Sequence, residues 1–283
     1  MSPRRQEAPE RTTRETRLGP LAALAEGPAA GPGVLVLHGF PDLPASFLPL
    51  LRTLGAAGYR AIAPWLPGYA PSPTGGDMDP RAVIDRLAVE LTEPVDVVGH
   101  DWGALLAYGL AAQHPSKVRR VVAMSVPHPR AFLVGLGRAP RQLWRSRYMA
   151  FFQLPHLPER VLPRGYARAL WRRWSPGLVM DATLDAHLAE VEACLAASLP
   201  GPLAYYRRAL RPGAMADAWR WRVQAPVRYL HGADDGCIAP SLAQAQRRWF
   251  AGDYAAEVLP GAGHFLHVEA PERVAAAVLR GLR

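Results

Sequence analysis

The apolar positions of this chain follow two patterns. Short, mostly apolar runs at 34–37, 59–63, 95–98 and 118–124 have the length of buried strands, and longer helix-compatible stretches lie between them. Thr16 to Glu26, broken at Gly19-Pro20, is expected to form an opening hairpin. Such strand–helix alternation predicts an α/β fold, with a mainly parallel sheet covered by helices on both faces. After Val126-Pro127-His128-Pro129 the pattern changes, and residues 126–222 read as helical, aromatic and interrupted by proline. Strand pattern returns at Val227 and at 256–259, and an amphipathic helix from Pro271 closes the chain. The expected division is a core domain from 14–125 and 223–283, an inserted helical cap over 126–222, and a disordered polar tail over 1–13.

Composition narrows the class. A length of 283 residues suits one large α/β domain with an insertion, and 49% hydrophobic content is ample for its core. The N-terminal stretch lacks the apolar region of a signal peptide, and no later run is long and uncharged enough to span a membrane. Two cysteines, Cys194 and Cys237, give no disulfide framework, so a cytoplasmic location is expected. No nucleic-acid motif is present, and oligomeric state cannot be read from the pattern. The whole net charge of +9 falls in 126–222, which holds 15 Arg against 6 acidic residues, whereas the remainder carries 18 of each sign. Lys117 is the only lysine. An arginine-biased composition accounts for this charge. A sharper consequence is that arginines near the cap mouth steer anionic substrates, or an acidic surface, toward it.

The chemistry begins at Gly99-His100-Asp101-Trp102-Gly103, directly after the run Val95-Asp96-Val97-Val98 and before a helix-forming run. G-x-S-x-G in a strand-to-helix turn is the nucleophile elbow of α/β-hydrolases. Here the nucleophile position holds Asp101. A carboxylate attacks an alkyl carbon rather than an acyl carbon, forming an ester whose carbonyl belongs to the enzyme and which water must then cleave. Epoxide opening and carbon–halogen cleavage are the reactions that fit, and neither needs a metal or a cofactor. The Trp102 amide, at the start of the following helix, is a candidate oxyanion donor. A second candidate is the Phe40 amide, in His38-Gly39-Phe40-Pro41 after the strand Val34–Leu37.

An acid and a histidine are expected later in the chain, in that order. His231-Gly232-Ala233-Asp234-Asp235-Gly236 follows a short β-type run, and Asp234 and Asp235 compete for the acid, with Asp235 preferred. Pro260-Gly261-Ala262-Gly263-His264-Phe265-Leu266-His267 follows the next one. His264, in the glycine-rich loop, is the expected base, and His267 is expected to pack or cap the last helical region. Cys237 reads as a small packing residue.

With these motifs the chain resembles the α/β-hydrolase-fold epoxide hydrolases. Haloalkane dehalogenases share the Asp elbow but typically place Asn after His-Gly, where this chain has Phe40. Fluoroacetate dehalogenases usually carry Arg after the nucleophile, where this chain has Trp102. The resemblance further implies two lid tyrosines that polarise the ring oxygen. Tyr148 lies in Tyr148-Met149-Ala150-Phe151-Phe152-Gln153, and Tyr206 in Tyr205-Tyr206-Arg207, with Tyr205 as its substitute should Tyr206 face away. Trp102, Phe40 and Phe152 are expected at the substrate. The implied reaction takes a small-molecule epoxide and water to a vicinal diol through an ester on Asp101. A dehalogenase using the same aspartate, and a non-catalytic ligand-binding protein on this fold, are the alternatives.

Overall fold

The first two strands, β1 (Arg14–Leu18) and β2 (Leu21–Glu26), pair antiparallel, with Leu18 opposite Leu21 across the Gly19-Pro20 turn. Gly19 takes a positive φ of 54° there, a conformation that glycine adopts without steric cost. β2 then pairs antiparallel with β4 (Arg60–Pro64). β3 (Gly33–Leu37), β4, β5 (Val95–His100), β6 (Val118–Met124), β7 (Val227–Gly232) and β8 (Tyr254–Leu259) run parallel. The eight strands form one sheet in the order β1-β2-β4-β3-β5-β6-β7-β8. This computed structural model describes residues 13–137, 139–211, 221–243 and 246–283; the expected tail, apart from residue 13, lies outside them.

The helices of the first half are α1 (Leu48–Ala56), α2 (Pro80–Glu90) and α3 (Trp102–Gln113). Between β6 and β7 come α4 (Pro129–Leu136), α5 (Pro140–Arg145), α6 (Arg147–Phe151), α7 (Leu157–Val161), α8 (Ala167–Trp174), α9 (Ala182–Ser198) and α10 (Gly201–Ala209). After β8 follow α11 (Leu266–Glu269) and α12 (Pro271–Gly281).

The period of two along the strands divides the core into two layers. Val34 and Val36 of β3, with Val98, Val122 and Leu230, pack under Leu50, Leu51 and Leu54 of α1 and Val274 and Val278 of α12. Leu35 and Leu37, with Val97, Val121 and Tyr229, face Val83, Ile84 and Leu87 of α2 and Leu106 and Leu110 of α3. A strand buried on both faces reads as a continuous apolar run, which is why β3 and β5 were legible without alternation. The insertion joins this second layer through α8. Ala167, Leu170, Trp171 and Trp174 are buried on one side of that helix, while Arg172 and Arg173 are exposed on the other.

In open parallel sheets the loops that leave the carboxyl ends of the strands form the binding edge. Here β3, β5, β7 and β8 end at His38, Asp101, the Asp235 loop and the His264 loop, so all four motifs meet at that edge. Among the described residues no helix is long and apolar enough to cross a membrane.

Candidate active site

Asp101 sits between β5 and α3 at φ 52°, ψ −116°, outside the regions that L-residues favour. Contact between backbones enforces this turn. A Cβ on Gly103 would stand 2.1 Å from the Leu37 carbonyl oxygen, and one on Gly99 would stand 2.2 Å from the Gly103 oxygen. Only glycine permits both approaches. The two carboxylate oxygens of Asp101 then have different surroundings. Oδ1 accepts a hydrogen bond from the Phe40 amide at 2.9 Å. Oδ2 faces His264 Nε2 at 3.6 Å. Trp102 is the first residue of α3, where amide groups lack intrahelical partners.

The Asp235 carboxylate meets His264, with 2.9 Å between Oδ2 and Nδ1. Its Oδ1 accepts from the amides of Cys237 and Ile238 at 2.7 and 2.8 Å, which fixes the carboxylate in plane. Asp234, the competing acid, is exposed. His264 is fully buried. Burial opposes its protonation, but Asp235 and Asp101, one on each ring nitrogen, outweigh it and lift the pKa to about 10. The two carboxylates thus favour the protonated form of the ring.

Tyr148 and Tyr206 line the same cavity as Asp101 and Trp102, with a volume of about 520 Å³. Apart from Asp101, these two hydroxyls and Arg211 near its mouth, the wall is apolar, formed by Leu105, Val126, Phe132, Met149 and Ile238 among others. Burial, reinforced by neighbouring groups that include Asp101, raises both phenols well above 10, so they remain proton donors. The Tyr206 O–H has no acceptor among the described residues, and only the Trp102 indole, itself a donor, approaches its oxygen. The Tyr205 hydroxyl donates to the Pro67 carbonyl at 2.7 Å and is thereby turned away.

Phe152 requires a correction. It was expected at the substrate, but its ring is wholly buried and outside the cavity lining. It packs edge-on against Phe40, Tyr148 and Tyr206, with centroids 5.0–5.4 Å apart, and so buttresses the tyrosines from behind. The Phe40 side chain is likewise fully buried, and only its amide reaches Asp101.

Several contributors were not evident from the sequence. Cys237 Sγ lies 3.5 Å from the Tyr148 hydroxyl. Trp171 Nε1 donates to the Pro41 carbonyl at 2.6 Å, and its indole stacks on Phe265 at 3.5 Å, so α8 clamps the loops bearing Phe40 and His264. The Trp174 carbonyl accepts from the amides of Gly236 and His264, tying the acid and histidine loops together. Asp42 is buried between His187 of α9, 3.0 Å away, and His267, 3.2 Å away. Burial alone would raise its pKa, but those two hydrogen bonds hold it below the usual carboxylate range. No local motif announces these contacts, because each joins segments far apart in the chain.

Asp42, His100 and His267 bring atoms able to ligate a metal within 4.8 Å of one another. The Asp42 oxygens, however, are already engaged by Leu43 N, Ser46 Oγ, His187 and His267, while Nδ1 of His100 and of His267 has no partner among the described residues.

Comparison with known proteins gives the family and the fold. The sequence profile of the Alpha/beta hydrolase family matches residues 34–277. The chain is 29% identical over 274 residues to the AB hydrolase superfamily protein YfhM of Bacillus subtilis, covering 93% of this chain and 94% of that one. It is 29% identical over 311 residues to Epoxide hydrolase A of Mycobacterium tuberculosis, with the same coverage, 93% and 94%. Among solved structures, Epoxide Hydrolase A from Mycobacterium thermoresistibile superposes with a TM-score of 0.77 at 26% identity, covering 96% of this chain and 98% of that one.

Proposed function

Because this chain belongs to the alpha/beta hydrolase family, and its elbow presents a carboxylate, we propose that it opens epoxides through a covalent ester on Asp101. It is a hydrolase acting on epoxides. The observation that carries this reading is that Asp101, with one oxygen already in the Phe40 amide, shares one apolar cavity with two buried tyrosine hydroxyls.

Asp101 Oδ2, the oxygen not held by Phe40, attacks a ring carbon in line with the breaking C–O bond. The ring oxygen leaves as an alkoxide and takes a proton from Tyr148 or Tyr206. An alkoxide is a poor leaving group, whereas a halide needs no proton, so paired phenols favour epoxide over haloalkane. Ester formation removes the negative charge of Asp101. One of the two carboxylates supporting the His264 imidazolium is then gone, its pKa falls, and its proton is free to restore the phenol. His264, now neutral and oriented by Asp235, is the base the second step requires.

His264 takes a proton from water, and the hydroxide adds to the Asp101 carbonyl carbon. The oxyanion develops on Oδ1, at the Phe40 amide, with the Trp102 amide as the second donor. Collapse cleaves the acyl–oxygen bond. The diol leaves with the former carboxylate oxygen and takes its proton from His264. Asp101 is left as a carboxylic acid, whose proton passes to the imidazole and restores the starting ion pair. The substrate partners are a small-molecule epoxide and water, and the helices α4 to α10 of the insertion serve as the cap.

The test is a product assay on purified protein: diol from styrene oxide and aliphatic epoxides, and halide from a bromoalkane and from haloacetate. Diol formation lost in Asp101→Asn is the expected result. Halide without diol would replace the epoxide reading by a dehalogenase using the same aspartate.

A further inference from the structure

The described residues include ten exposed large hydrophobic side chains, and eight of them lie between 126 and 222, the segment that also holds the whole net positive charge. Apolar exposure and basic charge therefore coincide on the insertion, whereas the sheet domain is neutral and, among the described residues, exposes only Val89 and Val258 of this kind. Scattered exposed aliphatics need no explanation, but a concentration on one part of a molecule marks a contact surface.

The arrangement of these residues is informative. Gln142 of α5 is turned inward, donating to the Cys237 carbonyl and accepting from the Ala239 amide. One and two positions further on, Leu143 and Trp144 therefore lie on the outward side, 63% and 68% exposed. Arg147 stacks on the Trp144 ring at 4.1 Å. α5 packs against α4, which exposes Leu133 and Val134, and against α6. Arg207 of α10 bonds the Phe152 and Leu154 carbonyls just after α6, which places exposed Leu154 and Leu210 beside the same group of helices. Leu133, Leu210 and the exposed Arg211 also line the active-site cavity, so the cavity opens within this surface.

We propose that this face of the insertion docks on an anionic lipid surface and draws lipophilic epoxides directly from it. A basic surface carrying aliphatic and tryptophan side chains is the chemistry that adsorbs to negatively charged bilayers without spanning them. The charge argues against a second copy of the chain as occupant, because two insertions, each of net charge +9, would repel. The apolar cavity opening there argues for lipid over an acidic protein, since a lipid phase concentrates the substrates such a cavity takes. The substrate part of the inference rests on the epoxide reading; the docking part does not.

The experiment is co-sedimentation of the full chain with phosphatidylcholine vesicles, with and without phosphatidylglycerol. Wild type is expected to bind the anionic vesicles at least about tenfold more than the neutral ones, and raised salt should release it. Leu143→Asp/Trp144→Asp should abolish binding while leaving turnover of a water-soluble epoxide, without vesicles, unchanged. Arg141→Glu, at an exposed position on the same helix, should weaken it. Asp101→Asn should bind as wild type does, which separates docking from catalysis. Equal binding to both vesicle types, no binding, or binding that the double substitution leaves intact overturns the proposal. So does a dimer that the double substitution dissolves, because the face would then be a contact between copies.

Discussion

The two oxygens of Asp101 divide its work. Oδ1 is fixed by the Phe40 amide before any substrate arrives, and Oδ2 is left to attack. The tyrosines divide in the same way. The Tyr206 O–H has no acceptor to give up, the Trp102 indole beside it being able only to donate, whereas Tyr205, next in sequence, is spent on the Pro67 carbonyl. Tyr206→Phe is therefore expected to lower kcat/KM by about 10²–10³ with little change in melting temperature. Tyr205→Phe is expected to keep activity and lose about 1 kcal/mol of stability through its broken hydrogen bond. Kinetics and thermal melts of the two variants decide between them, and a larger activity loss in Tyr205→Phe would contradict the assignment. Before the structure, the two positions could be separated only by resemblance, because adjacent helix residues differ by a rotation whose origin the pattern does not supply. Asp234 and Asp235 presented the same difficulty.

Elements with strong local signals were legible. The buried strands β3, β5 and β6 were expected within a residue or two of their bounds, as was α12. β8 begins two residues before the expected 256, because half-buried Tyr254 and exposed Ala256 and Val258 make it an edge strand with weak apolar pattern. The insertion was legible only as helical. Its prolines at 129, 140, 158 and 202 each stand in the first turn of a helix, where the missing N–H costs nothing, and so they mark the starts of four separate helices rather than interruptions of one or two long ones. Which of these helices reach the site could not be read, since the contacts of Trp171, Trp174 and His187 depend on how α8 and α9 pack over the sheet edge.

On the scale of the whole molecule, titration couples the site to stability. Burial lowers the pKa of His38 and His128 to about 4, and it also lowers those of His100, His231 and His267. Below pH 6.5 the unfolded chain binds protons that these buried rings refuse, so stability falls as the solution is acidified. His264 has the opposite sign. Its pKa is raised from 6.5 to about 10, so its contribution is complete below 6.5 and is lost as pH rises toward 10. Melting temperatures across this range should decline on both sides. His264→Gln should flatten the alkaline decline and leave the acid one; an unchanged alkaline slope would mean that the imidazole does not carry the charge assigned to it.

The same substitution gives the most direct test of the mechanism. Without His264 the ester forms but no base activates water, so His264→Gln incubated with an epoxide that wild type converts should accumulate one adduct. Mass spectrometry of the digested protein should place the full mass of the epoxide on the peptide containing Asp101. No adduct, or an adduct on another residue, would contradict a covalent ester on Asp101.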